Sequence, residues 1–258
     1  MGSEEFMRGA TERFSGRADY YARYRPGYPS ALIGLLQKEC ALASSSVIAD
    51  AGSGTGILSE LFLKNGNPVL GIEPNEEMRR AGERWLRGYP RFKSIDAMAE
   101  STSLPDHSVD FVVAGQAFHW FDPKRARAEF SRILKPGGWV VLLWNLRRAV
   151  SSPFTEAMEQ LLFTYAPEYE AVKNRVRMSS SDVLRSFFSM GYREKKFPNN
   201  QTLDFESLKG WMLSTSYSPQ EGHPAFDAMI KELHRAFSAF QKNGVISLVY
   251  ETTVFYGR

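Results

Sequence analysis

The chain has 258 residues, 43% hydrophobic and 24% charged, with 32 Lys and Arg against 29 Asp and Glu for a net charge of +3. That length allows one or two domains, and the balance excludes a disordered chain and gives no electrostatic case for nucleic acid. One cysteine excludes an intrachain disulfide and fits a reducing, cytoplasmic setting, and no apolar run approaches the roughly 18 residues of a membrane helix.

Residues 1–6, ahead of Met7, read as a vector-derived leader. Residues 7–45 form an arm and a first helix. The arm carries Phe14, Tyr20, Tyr21, Tyr24, Arg25, Pro26, Tyr28 and Pro29, a density of rings that points to an ordered segment, either packed on the core or folded over a pocket. Pro29 suits a first helical turn, and Leu32, Ile33, Leu35, Leu36 and Leu42 follow near helical spacing. Cys40 ends that pattern and reads as a small core residue.

Residues 46–148 read as the core. Val47–Asp50 is an opening strand and Gly56–Lys64 a helix, stopped by Asn65-Gly66-Asn67-Pro68. Val69–Ile72 is a second strand, Glu76–Arg87 a polar helix, and Phe92–Ile95 a third strand. Asp96–Ser108 is a polar loop with room for one helical turn. Asp110–Ala114 is a fourth strand, Pro123–Leu134 a helix, Lys135-Pro136-Gly137-Gly138 a turn, and Trp139–Trp144 a fifth, wholly apolar strand. Continuous apolar strands alternating with helices predict a doubly wound α/β fold around a mostly parallel sheet.

Residues 149–258 change character. Helices are expected at Ser151–Tyr165, Ser179–Met190, Phe205–Leu213 and Ala225–Gln241, with a short strand at Tyr192–Pro198 and a long β-rich run at Val245–Tyr256. The stripe Phe226, Met229, Ile230, Leu233, Phe237 and Phe240 reads as core. The expectation is a helical cap inserted before the last two strands of a seven-stranded sheet, within the same domain. The basic pairs Arg79-Arg80, Arg147-Arg148 and Lys195-Lys196 are scattered and read as solvated faces.

The chemistry centres on Asp50-Ala51-Gly52-Ser53-Gly54-Thr55-Gly56 between the first strand and the first core helix. Glycines there let backbone N–H groups approach a ligand, and the helix turns its positive end to the same space. A dinucleotide loop places its third glycine one residue further on. The acid Asp50 favours a cationic, amine-bearing cofactor over a pyrophosphate, through charge-assisted hydrogen bonds. Glu73, at the end of the second strand, can accept both hydroxyls of a ribose; the alternative is a carboxylate capping the helix at Asn75.

Together Val47–Gly56, Gly71–Asn75, Ala99–Pro105, Ser108–Asp110 and Ala117–Asp122 resemble the class I S-adenosylmethionine-dependent methyltransferases, in the small-molecule branch with Ala-Glu…Leu-Pro, Ser-x-Asp and Phe-His-Trp-Phe. Tyr21–Pro29 is similar to the arm of trans-aconitate methyltransferase-like members, and the likeness extends to Ser214–Tyr217 and Tyr250–Thr253. The resemblance implies S-adenosyl-L-methionine as cofactor. Asp50, Gly52 and Gly54 would line its methionine end, Glu73 the ribose, and Asn75 the adenine, whose edge would meet Ala99 and Glu100 through backbone groups. Asp96 is a rival for the adenine amine. Gln116 and Ala117 would lie by the sulfonium, and Tyr21 and Arg25 would close over the cofactor.

Methyl transfer needs alignment and exclusion of water, and an ionised carboxylate needs no base. His119 is the candidate base; its bland alternative is a histidine paired with loop backbone. Trp120 and Phe121 would wall the acceptor pocket. Arg25 would hold either the cofactor's carboxylate or that of an acidic acceptor. The expected activity is methylation of a small molecule, with no nucleic-acid or membrane partner and no metal. A non-catalytic cofactor-binding protein and an NAD-type oxidoreductase stand as alternatives.

Overall fold

A computed structural model describes residues 16–147, 152–178 and 181–258, and the side chains among these except 175–178 and 181. The expected leader at residues 1–6, Phe14, Arg148, and the starts expected at Ser151 and Ser179 lie outside them. Described elements run α1 (Ala18–Tyr24), α2 (Ala31–Cys40), β1 (Ile48–Ala51), α3 (Ile57–Lys64), β2 (Val69–Ile72), α4 (Glu76–Leu86) and β3 (Phe92–Ile95). Next come β4 (Val109–Gly115), a single 3-10 turn at Phe118–Trp120, α5 (Pro123–Ile133) and β5 (Leu134–Arg147). The cap and closing strands are α6 (Pro153–Tyr165), α7 (Tyr169–Met178), α8 (Ser181–Phe187), β6 (Tyr192–Leu203), α9 (Phe205–Leu213), α10 (Phe226–Phe240) and β7 (Ile246–Gly257).

The seven strands form one sheet in the order β3-β2-β1-β4-β5-β7-β6. Neighbours from β3 to β5 are parallel, and β7 runs antiparallel to both β5 and β6. This is the doubly wound, mostly parallel sheet that the apolar runs imply. Successive side chains point to opposite faces. Val112, Ala114, Leu142 and Trp144 therefore meet Phe130 of α5 and Phe187 of α8, while Phe111, Val113, Val141 and Leu143 meet Leu32, Leu36 and Phe62 of α2 and α3. The strand order reverses between β1 and β4, and a crevice opens beyond their carboxyl ends, where such sheets bind ligands.

The Ser-x-Asp motif fastens the start of β4. Asp110 accepts the Val47 N–H at 2.8 Å and pairs with Lys135 at 2.9 Å, and the Ser108 hydroxyl donates to the Pro105 carbonyl at 2.7 Å. The turn expected at Lys135–Gly138 is instead part of β5. Pairing passes from Val109↔Leu134 to Phe111↔Trp139, so these residues bulge out of a continuous ladder, with Gly137 in the left-handed region at φ +80°. The polar loop before β4 carries no helical turn; a tight turn closes it at Met98–Ser101.

Two further expectations need correction. Helix α7 was not foreseen, because Tyr169–Met178 is rich in charge and places few apolar residues on one stripe. The cap does not precede the last two strands as one block. Helices α6–α8 come before β6, and α9 and α10 lie between β6 and β7. The strand β6 also runs five residues past Pro198. On this edge strand proline can pair without disrupting an interior ladder. The stripe on α10 buries Met229, Leu233 and Phe237 against α6 and α9, as expected, with Phe240 left 39% exposed. Cys40 is a buried free thiol, pushed up to about 12 chiefly by burial, so it is a core residue.

The arm is fixed by its own carbonyls. The Asn145 side chain donates to the Gly27 carbonyl at 3.2 Å, Asn199 to the same oxygen at 2.9 Å, and Gln201 to the Tyr24 carbonyl at 2.7 Å. Arg17 and Arg25 donate to the carbonyls of Ser218 and Ser214, at 3.0 and 3.3 Å, beyond the end of α9. Cations at a helix carboxyl end are favoured by its dipole.

Candidate functional site

Three glycines shape the turn from β1 into α3, at φ +68°, +54° and +84° for Gly52, Gly54 and Gly56. A Cβ on Gly52 would stand 2.6 Å from that of Ala117, so the loop and the end of β4 approach as closely as glycine permits. The N–H groups of Gly52 and Ser53 both donate to the Ile72 carbonyl, at 2.8 and 3.0 Å, and tie the loop to β2.

Asp50 faces α3 and is 1% exposed. One carboxylate oxygen accepts the Ser59 hydroxyl at 2.6 Å; the other is buried with no partner among the described residues. Burial pushes its pKa up to about 7, the Ser59 hydrogen bond opposes this, and Glu73 adds to the rise. The Thr55 hydroxyl is orphaned in the same way. Both residues line one cavity, and a free carboxylate oxygen beside a hydroxyl suits a polar, cationic ligand group.

Glu73 accepts the Gly54 N–H and the Asn75 N–H, each at 2.9 Å. It joins the loops after β1 and β2 instead of capping the helix; Asn75 caps α4 itself, taking the Met78 N–H at 2.9 Å. Two lone-pair sites of the carboxylate stay available for hydroxyl donors. Burial raises the Glu73 pKa and those two N–H bonds counter it.

Glu73, Asn75, Ala99, Glu100, Ala117 and Phe121 line a small cavity of about 110 Å³. The Glu100 side chain accepts the Asp122 N–H at 2.7 Å and pins this loop to the start of α5. Asp96 is not in the site: it is 68% exposed and paired with Arg79 at 3.0 Å, which also makes Arg79 less solvated than expected. Phe121 walls this smaller cavity and not the larger one, because it follows the turn back under the glycine loop.

The larger cavity, about 510 Å³, shares Tyr21, Gly52, Gly54, Gly115, Gln116 and Trp120 with the smaller. Gln116 is left-handed at φ +56°, and its amide donates to the Asn145 carbonyl at 3.0 Å, which ties β4 to β5 at the crevice. His119 accepts from the Trp144 indole N–H through Nδ1 at 3.5 Å.

Toward the cap the cavity is lined by residues that sequence reading missed. Arg147 is 10% exposed and pairs with Glu159, which also accepts from Lys173 at 2.5 Å. The expected solvated face at Arg147 is therefore wrong: its position as the last inward residue of β5 turns it to the site. Burial alone would lower the Arg147 pKa, but Tyr217, Tyr169 and Glu159 reverse this and raise it. Trp211 lies between two guanidinium groups, Arg25 at 5.7 Å and Arg147 at 5.3 Å from its ring centre. Tyr250 is pushed up to about 12, mainly by burial. A charged residue ending an apolar strand was the one sequence signal for Arg147. Nothing in the sequence pairs it with Glu159 or Trp211.

Among the described residues no group of three or more His, Cys, Asp or Glu is placed to hold a metal ion, and no helix is long and apolar enough to cross a membrane.

A mostly parallel sheet in this strand order, with a glycine turn, a buried acid at the end of β1 and a second acid after β2, defines a nucleoside-cofactor fold of the methyltransferase kind. Residues 49–142 match a family described as methyltransferase domain. An uncharacterised methyltransferase of Schizosaccharomyces pombe is 32% identical over 247 residues, covering 90% of this chain and 93% of its own length. One from Mycobacterium tuberculosis strain H37Rv is 37% identical over 134 residues, 52% of either chain, so the match spans about half that relative's length. A solved structure described as a putative type II methyltransferase from Anaeromyxobacter dehalogenans superposes with a TM-score of 0.64 at 24% identity, covering 91% of this chain and 98% of that one, a likeness of fold. The chain belongs to the class I S-adenosylmethionine-dependent methyltransferases.

Proposed function

We propose that this chain transfers a methyl group from S-adenosylmethionine to a small-molecule carboxylic acid. The carrying observation is the larger cavity: it joins the orphaned carboxylate of Asp50 at the glycine loop to the cations Arg147 and Lys173 at the cap.

The cradle fits the cofactor. The free oxygen of Asp50 takes its ammonium, and Arg25 its carboxylate. Both Asp50 and Arg25 line the larger cavity, so it offers one opposite charge to each end of a zwitterion. Glu73 holds the ribose with its remaining lone pairs, and the backbone of Ala99 and Glu100 meets the adenine edge beside Asn75. When bound, the cofactor supplies an activated methyl for in-line displacement.

The chain's own part is alignment and exclusion of water. Gln116 and Ala117 bring the end of β4 against the glycine loop, and Tyr21 and Trp120 stand where the two cavities meet. An ionised acid needs no proton removed, so His119 acts as wall and not as base. A concave cavity of about 510 Å³ suits a small acceptor, and the single buried thiol suits the cytoplasm.

Incubation with methyl-labelled S-adenosylmethionine and a panel of small carboxylic acids and their amides tests this. Label is expected on at least one acid and not on its amide. Tight S-adenosylhomocysteine binding with no transfer to any acid would contradict the proposal and favour a cofactor-binding protein.

A further inference from the structure

Among the described residues, the cap end of the larger cavity holds more positive charge than its acids neutralise. Arg147 and Lys173 share one carboxylate, that of Glu159. The Arg147 Nη2 group also reaches the Tyr169 hydroxyl at 3.1 Å, so that side of the guanidinium is occupied. Nη1 is buried and has no partner among the described residues. The Trp211 indole N–H and the Tyr250 hydroxyl, in the same cavity, are also buried; they lie close enough to act on each other, but neither completes a well-formed hydrogen bond within the protein. A guanidinium nitrogen without an acceptor and two incompletely satisfied donors, beside an excess cation and aromatic rings, call for an anion with several lone pairs. A guanidinium presents parallel N–H groups that match a carboxylate.

Arg147 is not placed for the cofactor. Its side chain leaves β5 four residues beyond Leu143, the residue whose carbonyl ties down Gln116, and strands rise about 3.3 Å per residue. The charged and titratable neighbours that act on it are Tyr217, Tyr169, Glu159 and Tyr250, from the cap and β7.

Resting on the acid-acceptor reading above, we propose that Arg147 anchors the carboxylate of the methyl acceptor, with Trp211 and Tyr250 as supporting donors, and that the acceptor is an acid with an apolar, ring-sized body. The rings of Trp120, Tyr28 and Tyr217, which wall the space between anchor and glycine loop, supply the apolar surface that selects this body. Arg147 is then a specificity-determining residue for the acceptor and has no part in holding the cofactor.

The test titrates the whole chain, loaded with S-adenosylhomocysteine, with 3-phenylpropionate and with 3-phenylpropionamide by calorimetry. The acid is expected to bind at least tenfold more tightly than the amide. In Arg147→Gln the acid should weaken at least tenfold, to the level of the amide, with S-adenosylhomocysteine affinity within twofold of the parent. Arg147→Lys should keep part of the preference for the acid and covers the case in which the glutamine variant misfolds. An unchanged preference in a cofactor-binding Arg147→Gln chain overturns the proposal, as does a parent chain that binds acid and amide alike. If S-adenosylhomocysteine fails to bind the parent, the cofactor reading fails. The same titrations without it then judge the anchor alone: a preference for the acid that Arg147→Gln abolishes supports it, and one that persists overturns it.

Discussion

The two cavities are built by different means. The cofactor crevice is made from short stretches in chain order, β1 into its glycine turn, the end of β2, the Ala99-Glu100 loop and the end of β4, and it is fixed mainly through backbone groups. Gly54, Asn75 and Asp122 each give an N–H to an acid of this set at 2.7–2.9 Å. The cap end of the larger cavity is assembled from residues far apart in sequence, Arg25, Arg147, Glu159, Trp211 and Tyr250, mainly through side-chain contacts. A backbone-built site tolerates little change in shape. A side-chain-built site can change its ligand one residue at a time, which is how one fold serves many acceptors.

The largest effect should come from shape in the crevice. Gly52→Val puts a branched side chain where a Cβ already meets Ala117 at 2.6 Å, at a φ of +68°. S-adenosylhomocysteine binding, followed by calorimetry, should fall more than a hundredfold, and near-normal binding would break the contrast between the two cavities.

Charge in the crevice comes next. Asp50→Asn removes the partner for the ammonium, and a charge-assisted bond of about 1.5–3 kcal/mol is at stake, so affinity should drop about ten- to a hundredfold. Empty Asp50→Asn should nonetheless melt higher than the parent at pH 8, since a buried, half-satisfied carboxylate is gone. The Asp50 pKa is raised to about 7, so its contribution to the stability of the empty chain is full below about pH 4 and lost as pH rises through 7. Binding has the opposite slope. The ammonium needs the ionised carboxylate, so the dissociation constant should worsen by up to about tenfold per unit as pH falls below 7. A flat profile from pH 5.5 to 7.5 removes Asp50 from the site.

Arg25 sharpens the border between the two cavities. Arg25→Ala should weaken S-adenosylhomocysteine about tenfold and leave the preference for an acid over its amide in place. Unchanged cofactor binding would move Arg25 to the acceptor side. The smallest effect is expected at His119. With an ionised acceptor, His119→Gln should lower kcat less than about threefold, and a hundredfold loss would make it a base.

The same contrast explains what was legible in the sequence. β2, β3 and α9 fall where their apolar runs and turn residues place them, because local patterning decides them. The crevice residues Asp50, Gly52, Glu73, Ala99, Gln116 and Ala117 come together because glycine spacing and strand ends are local signals. Helix α7, the two-part cap and the β5 bulge depend on tertiary pairing that overrides turn and charge patterns. Arg147 reads as surface when only its neighbour Arg148 is considered. Its burial follows from α6 supplying Glu159 and α9 supplying Trp211, contacts across 12 and 64 residues of chain. Asp96, the rival for the adenine amine, is instead exposed and paired with Arg79.

Everything said of the acceptor rests on the glycine turn holding S-adenosylmethionine and not a dinucleotide. Thermal shift of the whole chain with S-adenosylhomocysteine and with NAD tests this most directly, since a ligand of the folded state raises the melting point as its concentration exceeds its dissociation constant. The expected result is a rise with S-adenosylhomocysteine, lost in Asp50→Asn at the same concentration, and none with NAD. A rise with NAD alone would contradict it.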